Sequence, residues 1–237
     1  MPVDPSHPVP LPPWRPLLRG ARQREGRAPG ASWLQLASMA ADGTPRVRTL
    51  VFRGWSDEGA LELLTDARSE KPVELSGQGQ VELCWLFRKA REQFRLRGAA
   101  QLFRDGDDPE ALNAHWQRLT PGGRSVWAWP HPGQPFDSAG PWPQEVADGA
   151  PQPPHLVLIR IQIQRVEQLD LKPHPHRRLC WDRGEGWAER RLNPGTSRGR
   201  AHHPGPVPLA SRLHPCGSKR RTACAWRLEP AATVAAG

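Results

Sequence analysis

The pattern of apolar and polar residues from 32 to 103 reads mostly as a meander of extended strands with one helix inserted. Residues 32–39 place Leu34 and Leu36 on one side and Trp33, Gln35, Ala37 and Met39 on the other. Asp42-Gly43 then supplies a turn and residues 46–55 resume the extended pattern, which predicts a hairpin. A second turn at 56–59 leads to a strand over 61–65, and further strands are predicted at 81–87 and 93–103. Between them residues 69–75 have helical character, with Ser69 as the expected N-cap.

Helical spacing brackets this meander. Residues 14–26 present Trp14, Leu17 and Leu18 on one side, and residues 109–119 set Leu112, His115, Trp116 and Leu119 at helical spacing behind Pro109. A short helix is expected at 121–127, then a long Pro- and Gly-rich connection from 129 to 154. Residues 155–169 alternate Ile159, Ile161 and Ile163 with Arg160, Gln162 and Gln164, the clearest strand of the chain, and residues 176–192 form a last hairpin. About six strands with short turns and peripheral helices predict an α+β fold, mainly antiparallel β, closed as a barrel. Strict βαβ alternation, a G-x-G-x-x-G loop and a Walker loop are absent from the sequence.

Composition first points elsewhere. The 237 residues carry a formal charge of +9, as a nucleic-acid binder would. Seven basic residues and one acid fall after Pro194, however, so six of those nine charges belong to a Gly-, Pro- and Arg-rich stretch without periodicity. That stretch, 195–237, is expected to be a disordered extension, and residues 1–13, with six prolines, a separate arm before a domain over 14–194. No nucleic-acid partner is expected, and the 11 Trp and 5 Phe fit core or interface positions better than a stacking surface. No apolar run is long enough for a membrane span and no signal-peptide order opens the chain, so no membrane partner and a cytoplasmic location are expected. The four cysteines have no C-x-x-C pair and read as reduced, inert thiols, and His174/His176 or His202-His203 lack the partners of a closed metal site.

Three segments carry chemistry. Arg46, Arg48 and Arg53 lie along one strand; Thr65-Asp66-Ala67-Arg68-Ser69-Glu70-Lys71 ends a strand and opens a helix; and Gln93-Phe94-Arg95-Leu96-Arg97-Gly98 begins another strand. Hydroxyls, cations and free N–H groups in the second would favour an anion. Each segment alone is also compatible with a solvated strand face, a turn or a helix cap.

In order, these segments resemble the pyridoxamine 5′-phosphate oxidase family, over roughly residues 32–194. The family's Arg-x-x-Leu/Val strand is similar to Arg48-Thr49-Leu50-Val51-Phe52-Arg53, its Thr and Ser-Arg-Lys to Thr65 and Ser69-Glu70-Lys71, and its Gln-Val-Arg-x-x-Gly to Gln93–Gly98. Its closing hairpin, Arg-x-His-x-Arg followed by Trp-x-x-x-Arg-Leu-x-Pro, is similar to His174–Arg178 and Trp187–Pro194. The resemblance implies a split β-barrel that binds FMN at the interface of a homodimer and oxidises an amine or alcohol of a small-molecule substrate to an aldehyde. The alternatives are a flavin reductase-like protein or a non-catalytic flavin-binding barrel. It further implies that Arg48, Ser69, Lys71 and Arg68 hold the flavin phosphate with Thr65, and that Arg53 belongs to the same site. Thr49, Leu50 and Val51 would flank the ring and Gln93 bond its polar edge. Arg178 would approach from the partner subunit, His176 would face the substrate, and these two are the implied catalytic residues. The segment 127–135 sits where the family has further contacts.

Overall fold

The computed structural model describes residues 11–195. In chain order these form α1 (Trp14–Glu25), β1 (Trp33–Met39), β2 (Pro45–Trp55), β3 (Leu61–Asp66), α2 (Lys71–Gly77), β4 (Gln80–Phe87), β5 (Glu92–Phe103), α3 (Pro109–Gln117), α4 (Pro121–Ser125), β6 (Leu156–Asp170), β7 (Arg177–Asp182) and β8 (Arg190–Leu192). Most of the expected arm at 1–13, the extension after 195 and the pair His202-His203 lie outside the described residues.

The strands make one antiparallel sheet in the order β3-β2-β1-β4-β5-β6-β7-β8, and an added β3–β6 pairing closes its first six strands into the expected barrel. β6 makes the split possible. On one edge it pairs with β5, while on the other its first half, from Leu156 to Ile161, pairs with β3 and its second half, from Arg165 to Asp170, pairs with β7.

Alternation decides what fills the barrel. Leu34 and Leu36 of β1, Leu83, Trp85 and Phe87 of β4, Phe94 and Leu96 of β5 and Ile159, Ile161 and Ile163 of β6 meet in one core cluster. Rings dominate it, with Phe52 5.0 Å from Trp85 and Trp85 5.2 Å from Phe87. α1 joins the cluster through Trp14 and Leu18, as its sequence spacing predicts, and through Ala21, while the expected Leu17 packs against it only partly buried. Each such side chain taken from water contributes about 1.5–3 kcal/mol.

Two stretches show no alternation of buried and exposed positions, Leu61–Leu64 in β3 and Leu156–Ile159 in β6, because both of their faces are covered. Inside is the barrel; outside, Leu64, Leu156 and Leu158 pack in a second cluster with Leu112, Trp116, Leu119 and Trp127. Between Glu62 of β3 and Arg160 of β6 a buried network forms, in which Glu62 accepts from Arg160 Nε at 2.9 Å and lies 2.9 Å from His115 Nε2. It ties α3 to the barrel wall. Arg124, 2% exposed, does the same for the long connection, donating to the Ala147 carbonyl and to Asp148.

Two local expectations are corrected. α2 begins at Lys71 with Glu70 in the N-cap position, and Ser69 does not cap it. The Ser69 hydroxyl donates instead to the Asp66 carbonyl at 2.7 Å, closing the turn before the helix, while Pro72 sets the helix start. α4 stops at Ser125, so Trp127 belongs to the connection. No helix among the described residues is long and apolar enough to cross a membrane.

The barrel curves where the β5–β6 register shifts, between Arg97 and Gly98. A Cβ at Gly98 would lie 2.3 Å from the Gln162 carbonyl oxygen, so only glycine fits that approach. Gly98→Ala is therefore expected to destabilise the fold by about 1–3 kcal/mol. Urea unfolding would read this as a lower midpoint, and an unchanged midpoint would contradict the close approach.

Candidate functional site

The outward face of β2 carries Thr49, Val51 and Arg53, the residues between those that point to the core. They open onto a cavity of about 270 Å³, completed by Thr65 and Asp66 at the end of β3, Lys71 at the start of α2 and a wall from Val126, Trp127 and Pro132. Leu50 also reaches its lining. Thr49, Leu50, Val51, Arg53, Thr65 and Lys71 are thus brought together as the resemblance implies.

The polar groups of this cavity are short of partners. Arg53 Nε, Thr65 Oγ1 and Trp127 Nε1 are buried without a hydrogen bond among the described residues, and Lys71 forms no salt bridge there. Burial depresses the Arg53 guanidinium below its usual range. Lys71 is depressed by burial and then by Arg48, against the opposing pull of Asp66, Glu74 and Glu70. Buried donors left unmade are costly, and two cations facing one space repel each other. A phosphate there would satisfy the hydroxyl and both cations through charge-assisted bonds.

Three implied phosphate ligands stand elsewhere. Arg48 is on the opposite face of β2, where it donates to the Ser38 hydroxyl and forms an ion pair with Glu74, tying β2 to α2. Burial raises the Glu74 carboxyl, but the Ser38 and Arg48 hydrogen bonds bring it below its usual range. Arg68 pairs with Asp66 through Nε and Nη2 and donates to the carbonyls of Trp129 and Trp127 at 3.2 and 3.3 Å. Ser69 is spent on its turn.

Gln93 and Arg178 line a second cavity of about 200 Å³ with Arg95, Glu167, Gln168 and Leu169. Glu167 organises it, accepting from Arg95 and Arg178 through one oxygen and from Arg165 through the other. Burial raises this carboxyl, yet the hydrogen bonds from Arg178, Arg95 and Arg165 outweigh that and lower it to about 2. His176 precedes β7, is exposed, and lies with Nδ1 3.1 Å from the Pro173 carbonyl, outside both cavities. The sequence alone does not point to Glu167, and it names Arg95 only as part of the Gln93–Gly98 motif, without a role; their signal is a cross-strand pair of opposite charges, visible only once register is known.

Both cavities lie on one outer sheet face. A cross-strand row runs from Thr49 through Gln35, Cys84 and Arg95 to Glu167. Four strand spacings separate its ends, about 19 Å along the sheet. The same face exposes Trp33, Val47 and Leu86 between and beside them.

The family model for the pyridoxamine 5′-phosphate oxidase FMN-binding domain matches residues 11–104, which include β2, the 65–71 turn and Gln93. A pyridoxine/pyridoxamine 5′-phosphate oxidase 2 of Arabidopsis thaliana is 30% identical over 193 residues, 77% of this chain and 97% of that protein. The chain belongs to the pyridoxamine 5′-phosphate oxidase-like family of FMN-binding proteins. A family structure, the pyridoxamine 5′-phosphate oxidase-related FMN-binding protein of Nostoc punctiforme, superposes with TM-score 0.67 at 33% identity, covering 78% of this chain and 98% of that one. PhzG of Burkholderia lata, solved with tetrahydrophenazine-1-carboxylic acid, shares the fold at TM-score 0.62 and 22% identity, covering 81% and 98%. The first cavity fits the family's cofactor on chemical grounds, since Arg53, Lys71 and Thr65 offer the unpartnered donors that a flavin phosphate requires.

FMN affinity should therefore depend on pH from two sides. It rises as the phosphate becomes a dianion above about pH 6. It falls again where Lys71 loses its proton, below the ordinary lysine value of 10.5, because deprotonation removes a positive charge facing the phosphate. Lys71→Met is expected to weaken FMN about 10–100-fold and abolish the alkaline fall. Fluorescence titration across pH checks this, and an alkaline fall that survives in the variant would exclude Lys71.

Proposed function

We propose that the protein is an FMN-dependent oxidase that works as a homodimer, with one flavin site built from the first cavity of one protomer and the second cavity of its partner. The observation that carries this reading is the set of unpartnered donors, Arg53, Thr65 and Lys71, around one cavity on an exposed sheet face. Two further features support the dimer. Gln93 and Arg178 are too far along the sheet to serve the first cavity of their own chain, and the face between carries Trp33, Val47 and Leu86, at 51%, 67% and 49% exposure. An isologous contact through that face would bring each half-site against the other.

Bound FMN would supply a two-electron acceptor for a hydride from the carbon bearing an amine or hydroxyl, with O₂ as the final oxidant and hydrogen peroxide as its product. This chain's residues would do the rest. Arg53 and Lys71 anchor the phosphate, Thr65 donates its hydroxyl, and Thr49 to Val51 support one side of the ring. Gln93 and Arg178, the latter held by Glu167, complete the site from the other protomer, bringing His176 with them toward the substrate. The names of the relatives make pyridoxamine 5′-phosphate the first substrate to try.

The purified protein is expected to bind FMN, to lose its yellow colour under nitrogen when pyridoxamine 5′-phosphate is added, and to regain it in air with release of peroxide. Flavin that stays oxidised with this and other amines or alcohols would leave a non-catalytic flavin-binding barrel; failure to bind FMN would overturn the reading. Trp33→Glu, placed on the exposed face, is expected to give a folded monomer that has lost FMN. Monomeric protein retaining full FMN affinity would contradict the shared site.

A further inference from the structure

Arg68 is not among the residues lining the first cavity, but its guanidinium is engaged with two that are, Asp66 and Trp127. Nε and Nη2 grip the Asp66 carboxylate, with Nη2 2.7 Å from Oδ2, and Nη1 and Nη2 donate to the carbonyls of Trp129 and Trp127, about sixty residues further along the chain. A planar fork with five donors can grip a carboxylate through two of them and still serve two carbonyls, more bonds than the three donors of an ammonium allow. His155 Nε2 lies 2.8 Å from the same Trp127 carbonyl, and the Ala67 N–H donates to the His155 carbonyl at 2.8 Å. The turn after β3, the residue before β6 and the start of the long connection are thus knotted together at one point.

That point fixes a wall of the cavity. Trp127 lines it, is 7% exposed, and stacks edge-on against Trp116 at 6.0 Å. Its indole Nε1 is buried without a hydrogen-bond partner among the described residues. Buried indole N–H groups usually find a partner, so one left open on a cavity lining is available to whatever the cavity holds.

We infer that Arg68 is a positioning residue: it holds the Trp127 and Trp129 carbonyls so that the Trp127 indole stays in the cavity wall as a donor to the bound flavin, and it does not itself ligate the phosphate. This rests on the proposed flavin site.

A double-mutant cycle on the full chain tests this, with FMN and riboflavin titrated by fluorescence quenching. Arg68→Ala is expected to weaken FMN about 10-fold in the unaltered background and by less than about 2-fold in a Trp127→Ala background, because the residue it positions is gone. Trp127→Phe, which keeps the ring and removes the N–H, covers the case in which Trp127→Ala fails to fold; it is expected to lower FMN affinity by about 5–10-fold. Arg68→Lys is expected to behave as Arg68→Ala does, since it keeps the charge and loses the fork, and riboflavin, which has no phosphate, is expected to weaken with FMN. Equal losses in both backgrounds, full affinity in Arg68→Lys, or a loss confined to FMN would each overturn the inference and return Arg68 to the phosphate. If the unaltered chain binds no FMN, the functional reading fails and this inference with it; if it binds FMN and the losses are additive, this inference fails alone.

Discussion

A six-stranded barrel whose inward positions are taken by Trp85, Phe87, Phe94 and the isoleucines of β6 gives its interior to packing, and that constraint sends the chemistry outward. Leu50 and Phe52 of β2 pack toward the core and Arg48 is tied to Glu74, so Thr49, Val51 and Arg53 are the positions left to make a site. The same alternation carries Gln93 and Arg95 to the outer face of β5, and Glu167 to that of β6. A convex sheet face cannot enclose a molecule by itself. The long connection from α4 to β6 supplies one wall, and in the proposed dimer a second protomer supplies the other.

Acidic residues make this arrangement possible by taking up most of the remaining arginines. Glu74 holds Arg48, Asp66 holds Arg68, and Glu167 holds Arg95, Arg165 and Arg178. Glu92, 2% exposed, does similar work at the other side of the barrel, pairing with Arg24 of α1 and Lys172. A lone buried carboxylate would protonate, but hydrogen bonds from guanidinium groups keep Glu74, Asp66 and Glu167 ionised. Arg53 and Lys71 differ from their neighbours Arg48 and Arg68 in that no carboxylate among the described residues bonds to them.

Much of the fold was legible because it rests on local periodicity. Leu34 and Leu36 against Trp33 and Gln35, the isoleucines of β6 and the Trp14–Leu18 stripe each declare a buried face without reference to the rest of the chain. The site was legible only in part. Thr65, Lys71 and Arg53 lie where a strand end and a helix start put them, which neighbouring residues determine. Arg68 and Arg48 were not legible as structural ties, because the Trp127 carbonyl and Glu74 reach them only through tertiary folding. A strand arginine also looks the same in sequence whether it points to a cavity or, as Arg48 does, to a buried glutamate.

The central claim is that neither protomer holds a whole flavin site, and subunit complementation tests it most directly. One chain carrying Arg53→Ala and Lys71→Ala and another carrying Gln93→Ala and Arg178→Ala would each be folded but bind FMN poorly. Refolded together in equal amounts, half of the dimers would be mixed, and each mixed dimer would contain one site built wholly from unaltered residues. FMN binding by the mixture should then recover to about one quarter of the capacity of the unaltered protein. No recovery above the two separate variants would contradict a site shared between protomers.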